Sequence, residues 1–591
     1  MSHLVDSATR DIIDRLSRAS ISHCEHDLEQ KDPDQRDAKY GTILTPPPLL
    51  TDTPSEFIPA LLRDEPLTPQ PVVVEVTDRR WFGLVLHSVA IGVISTALPL
   101  TVFPFLTNYL NMEGTQTLSA RTILAMPWVL KPFFMIFTDC VPLMCGGYHR
   151  RPYMILGWFV CAAALISIYF VEQPKPYFID RSLVGTPLIK LSGEQISQSI
   201  NLEAPTRGGL YVMFMSVATT GYILADVAAD ALIVEIARSD FNVVGNSQDE
   251  VFAPTLTKYR YMAVLATFVL MGFGMSGENY GGTFGFTLEY TQMMLILGIF
   301  ATLPIPLAWT SIAETRRMRR SSRRYLKGIW NLFLNRAINK VIFFRFLGGI
   351  FGGISVTAVN PVAFYWAQVQ PMNDTVVSFV AVSAVFSALS YADTRGWKIN
   401  YRLLIISANL MILFLDCGAT MFTIWGVVRS MWFWIGLPVM EAIPSGLDYV
   451  IFTVVLGEIV DPDDEQITTS LVTAVSFLAG PVGLMLSKYI DAQFAVTNQD
   501  VMVDSTDVRV HVTLVFVIAY ICQLISMGWL LVLPQHASEA REWKKLSGNS
   551  MSHAVGLITL LVLLYVWTVA VHIMSLNTST ACMAVAGGKG C

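Results

Sequence analysis

The chain has 591 residues, of which 53% are hydrophobic and 15% charged, with a formal net charge of −6 at pH 7. Soluble domains carry nearer a quarter of charged residues, so a soluble globule of this length lacks the charge its surface needs. Eight cysteines in so apolar a chain exclude a disulfide-rich secreted scaffold and low-complexity disorder, and the mild acidity argues against a nucleic-acid binder. What remains is a polytopic, all-α membrane protein, each span needing about 20 apolar residues.

The first 80 residues are polar and proline-rich, with Pro46-Pro47-Pro48 and several Thr-Pro steps. They hold 9 basic and 15 acidic side chains, which is the whole of the net −6. No short apolar core follows a basic start, so no cleaved leader is expected, and the acids argue against a transit peptide. Residues 1–80 read as a disordered acidic cytosolic tail. His23-Cys24-Glu25-His26 within it lacks further ligands, so no metal site is expected there.

Apolar runs follow at 82–110, 117–142, 152–171, 207–236, 258–276 and 287–311. A gap carries Arg316, Arg317, Arg319, Arg320, Arg323, Arg324 and Lys327. A second set lies at 341–368, 374–392, 401–424, 428–459, 466–489, 510–533 and 553–575. Their length and continuity predict helices rather than barrel strands. The chain divides into an N-terminal six-helix half (81–311), a basic linker (312–340), a C-terminal six-helix half (341–534) and an extra C-terminal transmembrane helix with its connections (535–591). In the linker, Trp330, Phe333, Leu334, Ala337, Ile338 and Val341 share one helical face. That pattern fits either an interfacial helix on anionic lipid or the start of the seventh span.

Lysine and arginine set the orientation. Arg79-Arg80, Arg150-Arg151, the arginine-rich gap, and Arg395, Lys398 and Arg402 all fall on one side, read as cytosolic, with the N-terminus. The opposite loops near 277–286 and 369–373 carry no Lys or Arg. The sequons at Asn373 and Asn577 fall on that opposite side, and the extra helix places the C-terminus there. The plasma membrane is favoured over an organelle membrane.

Charges inside spans are costly and call for a partner or a function. Lys131 lies in the second span, and Asp226 and Asp230 lie four apart on one face of the fourth. Arg345 is in the seventh, Asp416 in the ninth, Glu441 and Asp448 in the tenth. Lys131, Asp226, Asp230, Arg345, Glu441 and Asp448 are the candidate substrate or proton pathway. Asp139, Arg150, Arg151 and Arg260 are read as structural or gating, Asp139 through a loop-anchoring ion pair and Arg260 by snorkelling to the cytosolic face. Gly348-Gly349 and Gly352-Gly353 predict close helix packing in the seventh span. Asp139, Gly146-Gly147 and Arg150-Arg151 after the second span are echoed by Asp393, Gly396 and Lys398 after the eighth, a hint of duplicated halves. Two six-span halves around a basic loop match the major facilitator architecture. No Walker loop, serine elbow or two-helix aspartyl motif is present, so neither ATP-driven transport nor an intramembrane enzyme is expected.

Trp128-Val129-Leu130-Lys131-Pro132, Thr138-Asp139 and Gly147-Tyr148-His149-Arg150-Arg151-Pro152-Tyr153 resemble the second-span signature of the folate–biopterin transporter family. Residues 225–235, Ala-Asp-Val-Ala-Ala-Asp-Ala-Leu-Ile-Val-Glu, resemble its fourth-span signature. His149 departs from the basic residue expected there, and the second half matches more loosely. The resemblance implies a proton-coupled carrier of folates, pterins or related small solutes, with no cofactor and the lipid bilayer as its setting. On that reading Lys131 or Arg345 would pair with substrate carboxylates, and Asp226 or Asp230 would accept pterin N–H groups or carry the proton. Phe364, Tyr365, Trp366 and Trp432 are candidate stacking partners. The alternative is a nutrient receptor of the same fold without flux.

Overall fold

The computed structural model describes residues 79–141, 150–244, 249–312, 322–373, 401–436, 465–530 and 550–591, with a few isolated positions between. The acidic tail with His23 and His26, Glu441, Asp448, and the Gly146-Gly147 and Asp393–Lys398 echo lie outside the described residues.

All regular structure among the described residues is helical, apart from two isolated bridges. Nine described helices are long and apolar enough to cross a membrane, and the chain is a multi-pass integral membrane protein. The N-terminal half comprises α1 (Arg79–Leu100), α2 (Gly114–Val129), α3 (Lys131–Cys140), α4 (Arg151–Tyr169), α5 (Ala204–Val244), α6 (Asp249–Gly274), α7 (Tyr290–Thr302) and α8 (Pro304–Thr310). Then follow α9 (Ser322–Leu334), α10 (Arg336–Gly352), α11 (Tyr401–Ile424), α12 (Glu465–Asp491), α13 (Asn498–Val503), α14 (Thr506–Trp529) and the extra helix α15 (Met551–Leu576).

The second span is two helices. Pro127 and Pro132 flank the joint at Leu130, where the chain turns through a Leu130 N to Pro127 O bond. Prolines without an N–H cannot complete the helical ladder, and the bend sets Lys131 at the head of α3. In the third and fourth spans, Gly157 and Gly221 face each other so closely that a Cβ on Gly157 would lie 2.5 Å from the Gly221 carbonyl. This crossing brings α5 tight against α4.

The seventh span was expected to run continuously over 341–368. Instead α10 ends at Gly352 and the chain unwinds before a short helical piece at Val359–Pro361. The break is stabilised from α12: Ser355 N–H donates to Ser487 Oγ (2.9 Å) and Thr357 N–H to Asp491 Oδ2 (2.7 Å), replacing lost helical bonds. The glycine stripe packs closely, as the sequence predicts. Cβ atoms added at Gly353 and Gly483 would meet Gly480 Cα at 2.8 Å and the Ile350 carbonyl at 2.5 Å. Gly348 and Gly352 face α14 instead, where Ser526 Oγ donates to the Gly348 carbonyl (2.6 Å).

The two halves also repeat a backbone device. After Pro104, the first span widens into π turns, with Leu110 N–H on Phe105 O and Met112 N–H on Leu106 O around a left-handed Asn111 (φ +53°). After Pro361, Ala367 N–H bonds Val362 O and Val369 N–H bonds Ala363 O around a left-handed Gln368 (φ +54°). The same turn thus stands at equivalent places in the first and seventh spans.

In the linker, α9 and α10 meet at Asn335 as separate helices. The apolar face is therefore divided between them, with Leu332, Phe333, Ile338 and Val341 buried in one cluster that includes residues of α12 and α15. The extra helix α15 packs on α2 of the first half and on α12 of the second, so it spans the seam between them.

Candidate functional site

Four charged side chains from three spans meet inside the N-terminal half. Lys131 Nζ donates to Asp230 Oδ2 (2.8 Å) and to Asp226 Oδ2 (3.2 Å). Arg260 Nη2 holds the other oxygen of Asp226. Asp226 is fully buried, whereas the Asp230 side chain keeps 39% of its exposure. The i, i+4 spacing on α5 places both carboxylates on one face, and the proline bend puts Lys131 between them. Two acids and two bases sum to zero, which is how four charges can share a site in an apolar bundle. Lys131 also lies 5.4 Å from the centroid of the Trp128 ring, which stacks on Phe477 of α12 across the halves (5.5 Å). Behind Asp226, His87 accepts at Nδ1 from Trp158 Nε1 (3.0 Å).

Arg260 does not snorkel: its guanidinium turns inward to Asp226. Asp139 and Arg150 form a 3.5 Å ion pair, and Arg150 Nη1 donates to the Ala231 carbonyl on α5 (2.5 Å). The backbone N–H groups of Arg150 and Arg151 donate to Glu314 (3.0 and 3.2 Å), a carboxylate at the start of α4 that favours the positive end of the helix dipole. Arg345 is not in the four-residue cluster. It lines a cavity of about 540 Å³ within the C-terminal half, together with Asp416, Asn409 and Gln523. Among the aromatics, Trp366 donates to the Val501 carbonyl (2.9 Å) and lies under Arg429 (4.9 Å). Tyr365 OH donates to Asn111 Oδ1 (2.6 Å), and Trp432 is exposed.

The face opposite the arginine-rich segment is closed by bonds between the halves that the charge pattern did not reveal. Asn498, at the start of α13, donates its backbone N–H to Glu113 Oε2 (2.9 Å) and its Nδ2 to Asn111 Oδ1 (3.1 Å) and the Met112 carbonyl (3.1 Å). Asn360 Nδ2 donates to Thr117 Oγ1 (3.0 Å), and Leu188 N–H to Gln499 Oε1 (3.0 Å). Burial pushes the Glu113 carboxyl up to about 7, against the pull of the Asn498 N–H and with a further push from Asp500. Nearby, Asp504 pairs with both Arg429 (2.6 Å) and Arg509 (2.8 Å). Against the cost of burial, their hydrogen bonds hold its carboxyl below the usual carboxylate range.

Lys488, at the end of α12, was also unsuspected. It is fully buried, donating to Ser119 Oγ on α2, to Ser575 Oγ on α15 (2.9 Å) and to His572 Nδ1 on α15 (2.8 Å). Among the described residues no group of three His, Cys, Asp or Glu is placed to hold a metal ion.

This helix packing and the two halves closing on one face define a major-facilitator-type fold. A crystal structure of a D-xylose-proton symporter superposes with a TM-score of 0.51 at 12% identity, over 77% of this chain and 97% of that one. The narrower resemblance has matches too. Residues 92–180 fit the BT1 family model. The chain is 23% identical over 199 residues to "Probable folate-biopterin transporter 4" of Arabidopsis thaliana, covering 34% of this chain and 30% of that protein. It is 33% identical over 58 residues to "Probable folate-biopterin transporter 2" of the same plant, or 10% and 11% of the two chains. The matches span less than a third of the length of either relative. The chain is similar to folate–biopterin transporters, and the family-model match runs from within the first span to beyond the third.

Proposed function

We propose that this chain is a secondary active carrier that moves a folate, a biopterin or a related small solute by alternating access, with protons as the coupling ion. The observation that carries the reading is Lys131 shared between Asp226 and Asp230, with Arg260 behind, inside a major-facilitator bundle. Asp226 is paired with two cations, whereas Asp230, among the described residues, is ion-paired with Lys131 and has a side chain that stays 39% exposed. A proton on Asp230 would free one of the two Lys131 contacts for a substrate carboxylate while Asp226 keeps the other, so proton and substrate binding would each favour the other. The rocking halves would then carry both across. The similarity to the two plant proteins supports the choice of solute. The cation pattern of the loops supports a cytosolic N-terminus, and the plasma membrane is our assignment. No residue is assigned a catalytic role.

The test is purified full-length protein in liposomes, given labelled folate and biopterin under an imposed pH gradient. Gradient-driven uptake of either is the expected result. Flux of neither under any gradient overturns the solute assignment and leaves the fold untouched.

A further inference from the structure

The segment after α15 closes on itself. Cys582 and Cys591, nine positions apart, form a disulfide, and both residues are exposed. Within the loop, Gly590 N–H donates to the Cys582 carbonyl (2.8 Å) and Gly588 N–H to the Met583 carbonyl (3.0 Å). Gly587 takes a left-handed φ of +84°, which glycine adopts without strain. Chain ends are poorly ordered unless something ties them down. The disulfide does so here by removing most of the loop's alternative conformations.

The closed loop and the end of α15 touch both halves. On the C-terminal half they sit over the end of α12. Tyr489 OH donates to the Val585 carbonyl (2.8 Å), and Gly587 lies so close to the Lys488 side chain that a Cβ would collide with it. Ser575 Oγ donates to the Ala586 carbonyl (2.6 Å) and accepts from Lys488 Nζ (2.9 Å), which links loop, α15 and α12. On the N-terminal half, Leu576 is buried in the core cluster of that half. A Cβ on Gly209 of α5 would lie 3.1 Å from the Leu576 carbonyl oxygen. Lys589 of the loop is near enough for its charge to act on Glu113, the residue that Asn498 bonds across the halves. Exposed disulfides persist in oxidising compartments and are rare in the cytosol, which agrees with the side that the loop cations give the C-terminus.

We propose that the disulfide-closed C-terminal loop is a clasp that fastens the two halves at the non-cytosolic face, in an oxidising compartment, so that breaking the Cys582–Cys591 bond lets this face open more readily. Without the bond, the freed chain regains conformations that compete with its holds on Tyr489, Lys488 and α15. That the face must open at all comes from the alternating-access reading above; the disulfide and its contacts stand without it.

The test uses the full-length chain with Met502→Cys in nanodiscs at a fixed pH of about 7.5, above the fall of closure expected from Glu113. Met502 belongs to α13 of the second half, is 7% exposed, and packs in the core cluster of the first, so a maleimide reaches position 502 when the face opens. Peptide mass spectrometry reads labelling at 502 separately from the other cysteines. It should first show the peptide with Cys582 and Cys591 two hydrogens lighter than the dithiol. Cys582→Ser with Cys591→Ser should then speed labelling at 502 about fivefold or more, because the rate follows the open population. If the serine variant fails to fold, a phosphine added to the folded parent gives the second measurement. Phosphorus takes the oxygen of one water, each sulfur gains a hydrogen as a thiol, and labelling at 502 should rise by the same factor. Both cysteines found as thiols in the untreated protein overturns the clasp. Equal labelling at 502 with and without the bond overturns it too, and leaves the carrier reading standing if the same protein in liposomes takes up folate or biopterin. Faster labelling without uptake of either supports the clasp and counts against those solutes.

Discussion

Glu113 and Asn498 belong to opposite halves of the chain, and a 2.9 Å hydrogen bond from the Asn498 backbone N–H to the Glu113 carboxylate joins them. Asp500, Lys589, Tyr177 and Tyr365 are the titratable groups that face this carboxyl. Closure raises Glu113 from the ordinary value of 4.5 to about 7, so closing this face takes up a proton. The contribution to closure is fully present below the ordinary carboxylate value and is lost as pH rises through about 7. Spin labels at Val184→Cys and Val503→Cys should therefore report a shorter distance at pH 5.5 than at pH 8. Glu113→Gln should remove the transition near pH 7 and keep the face closed throughout. A distance change of unaltered midpoint in that variant would separate Glu113 from the switch.

Asp226 and Asp230 should behave differently despite their shared helix face. Asp226→Asn leaves Arg260 facing a neutral partner in a buried place and Lys131 paired with Asp230, a loss of about 3–5 kcal/mol, and should lower the yield of folded protein. Asp230→Asn leaves Lys131 still bound to Asp226, so folding should be nearly unchanged. In liposomes it should retain substrate counterflow and lose accumulation driven by a pH gradient. Accumulation of wild-type extent in the Asp230 variant would sink the proton role. Lys131→Ala should weaken substrate affinity at least about tenfold, the effect of losing one charge-assisted contact.

Lys131, Asp226 and Asp230 were legible as candidates because charges interrupt apolar runs, and the spacing of Asp226 and Asp230 fixed their common face, but their meeting with Arg260 was not. Arg260 was misread because nearness to a helix end does not say which way a long side chain turns. Lys488 was passed over for the same reason: it sits at the end of a span, yet α15 covers it. Glu113, Asn111 and Asn498 carry little signal alone. Their role arises from pairing between segments far apart in sequence, which no local period records. The repeated π turn did leave a trace, in Pro104 and Pro361, but its partner residues differ in type. The break after Gly352 was hidden because glycine pairs signal close packing as readily as unwinding.

The glycines of the seventh and eleventh spans give a prediction of sign as well as size. Gly483→Ala would drive a Cβ to 2.5 Å from the Ile350 carbonyl and 2.6 Å from the Gly353 carbonyl carbon, both backbone. It should destabilise the protein by about 1–3 kcal/mol, the usual cost of overpacking. A Cβ on Gly480 meets nothing within 4 Å, so Gly480→Ala should be neutral or slightly stabilising by helix propensity. Thermal unfolding followed by tryptophan fluorescence separates the two, and equal midpoints for both variants would refute the close contact.

Lys488 ties three helices, and its partners show how. His572 Nε2 faces the Pro481 carbonyl at 3.2 Å, so Nε2 carries the ring proton and Nδ1 accepts from Lys488. Ser575 Oγ donates a hydrogen bond to the Ala586 carbonyl and accepts one from the lysine. Each acceptor thus depends on Lys488 Nζ. Lys488→Met and His572→Ala should each destabilise the protein by about 1–3 kcal/mol, because each strands polar groups in a buried place. The two losses should not add. A double-mutant cycle should show a coupling of about 0.5–3 kcal/mol, read from reversible unfolding in detergent. Because Ser119 lies on α2, the same tie joins the first half to α15. Both single variants should therefore also speed protease cleavage between α14 and α15. Strict additivity with unchanged cleavage would mean that α15 is held by its apolar face alone.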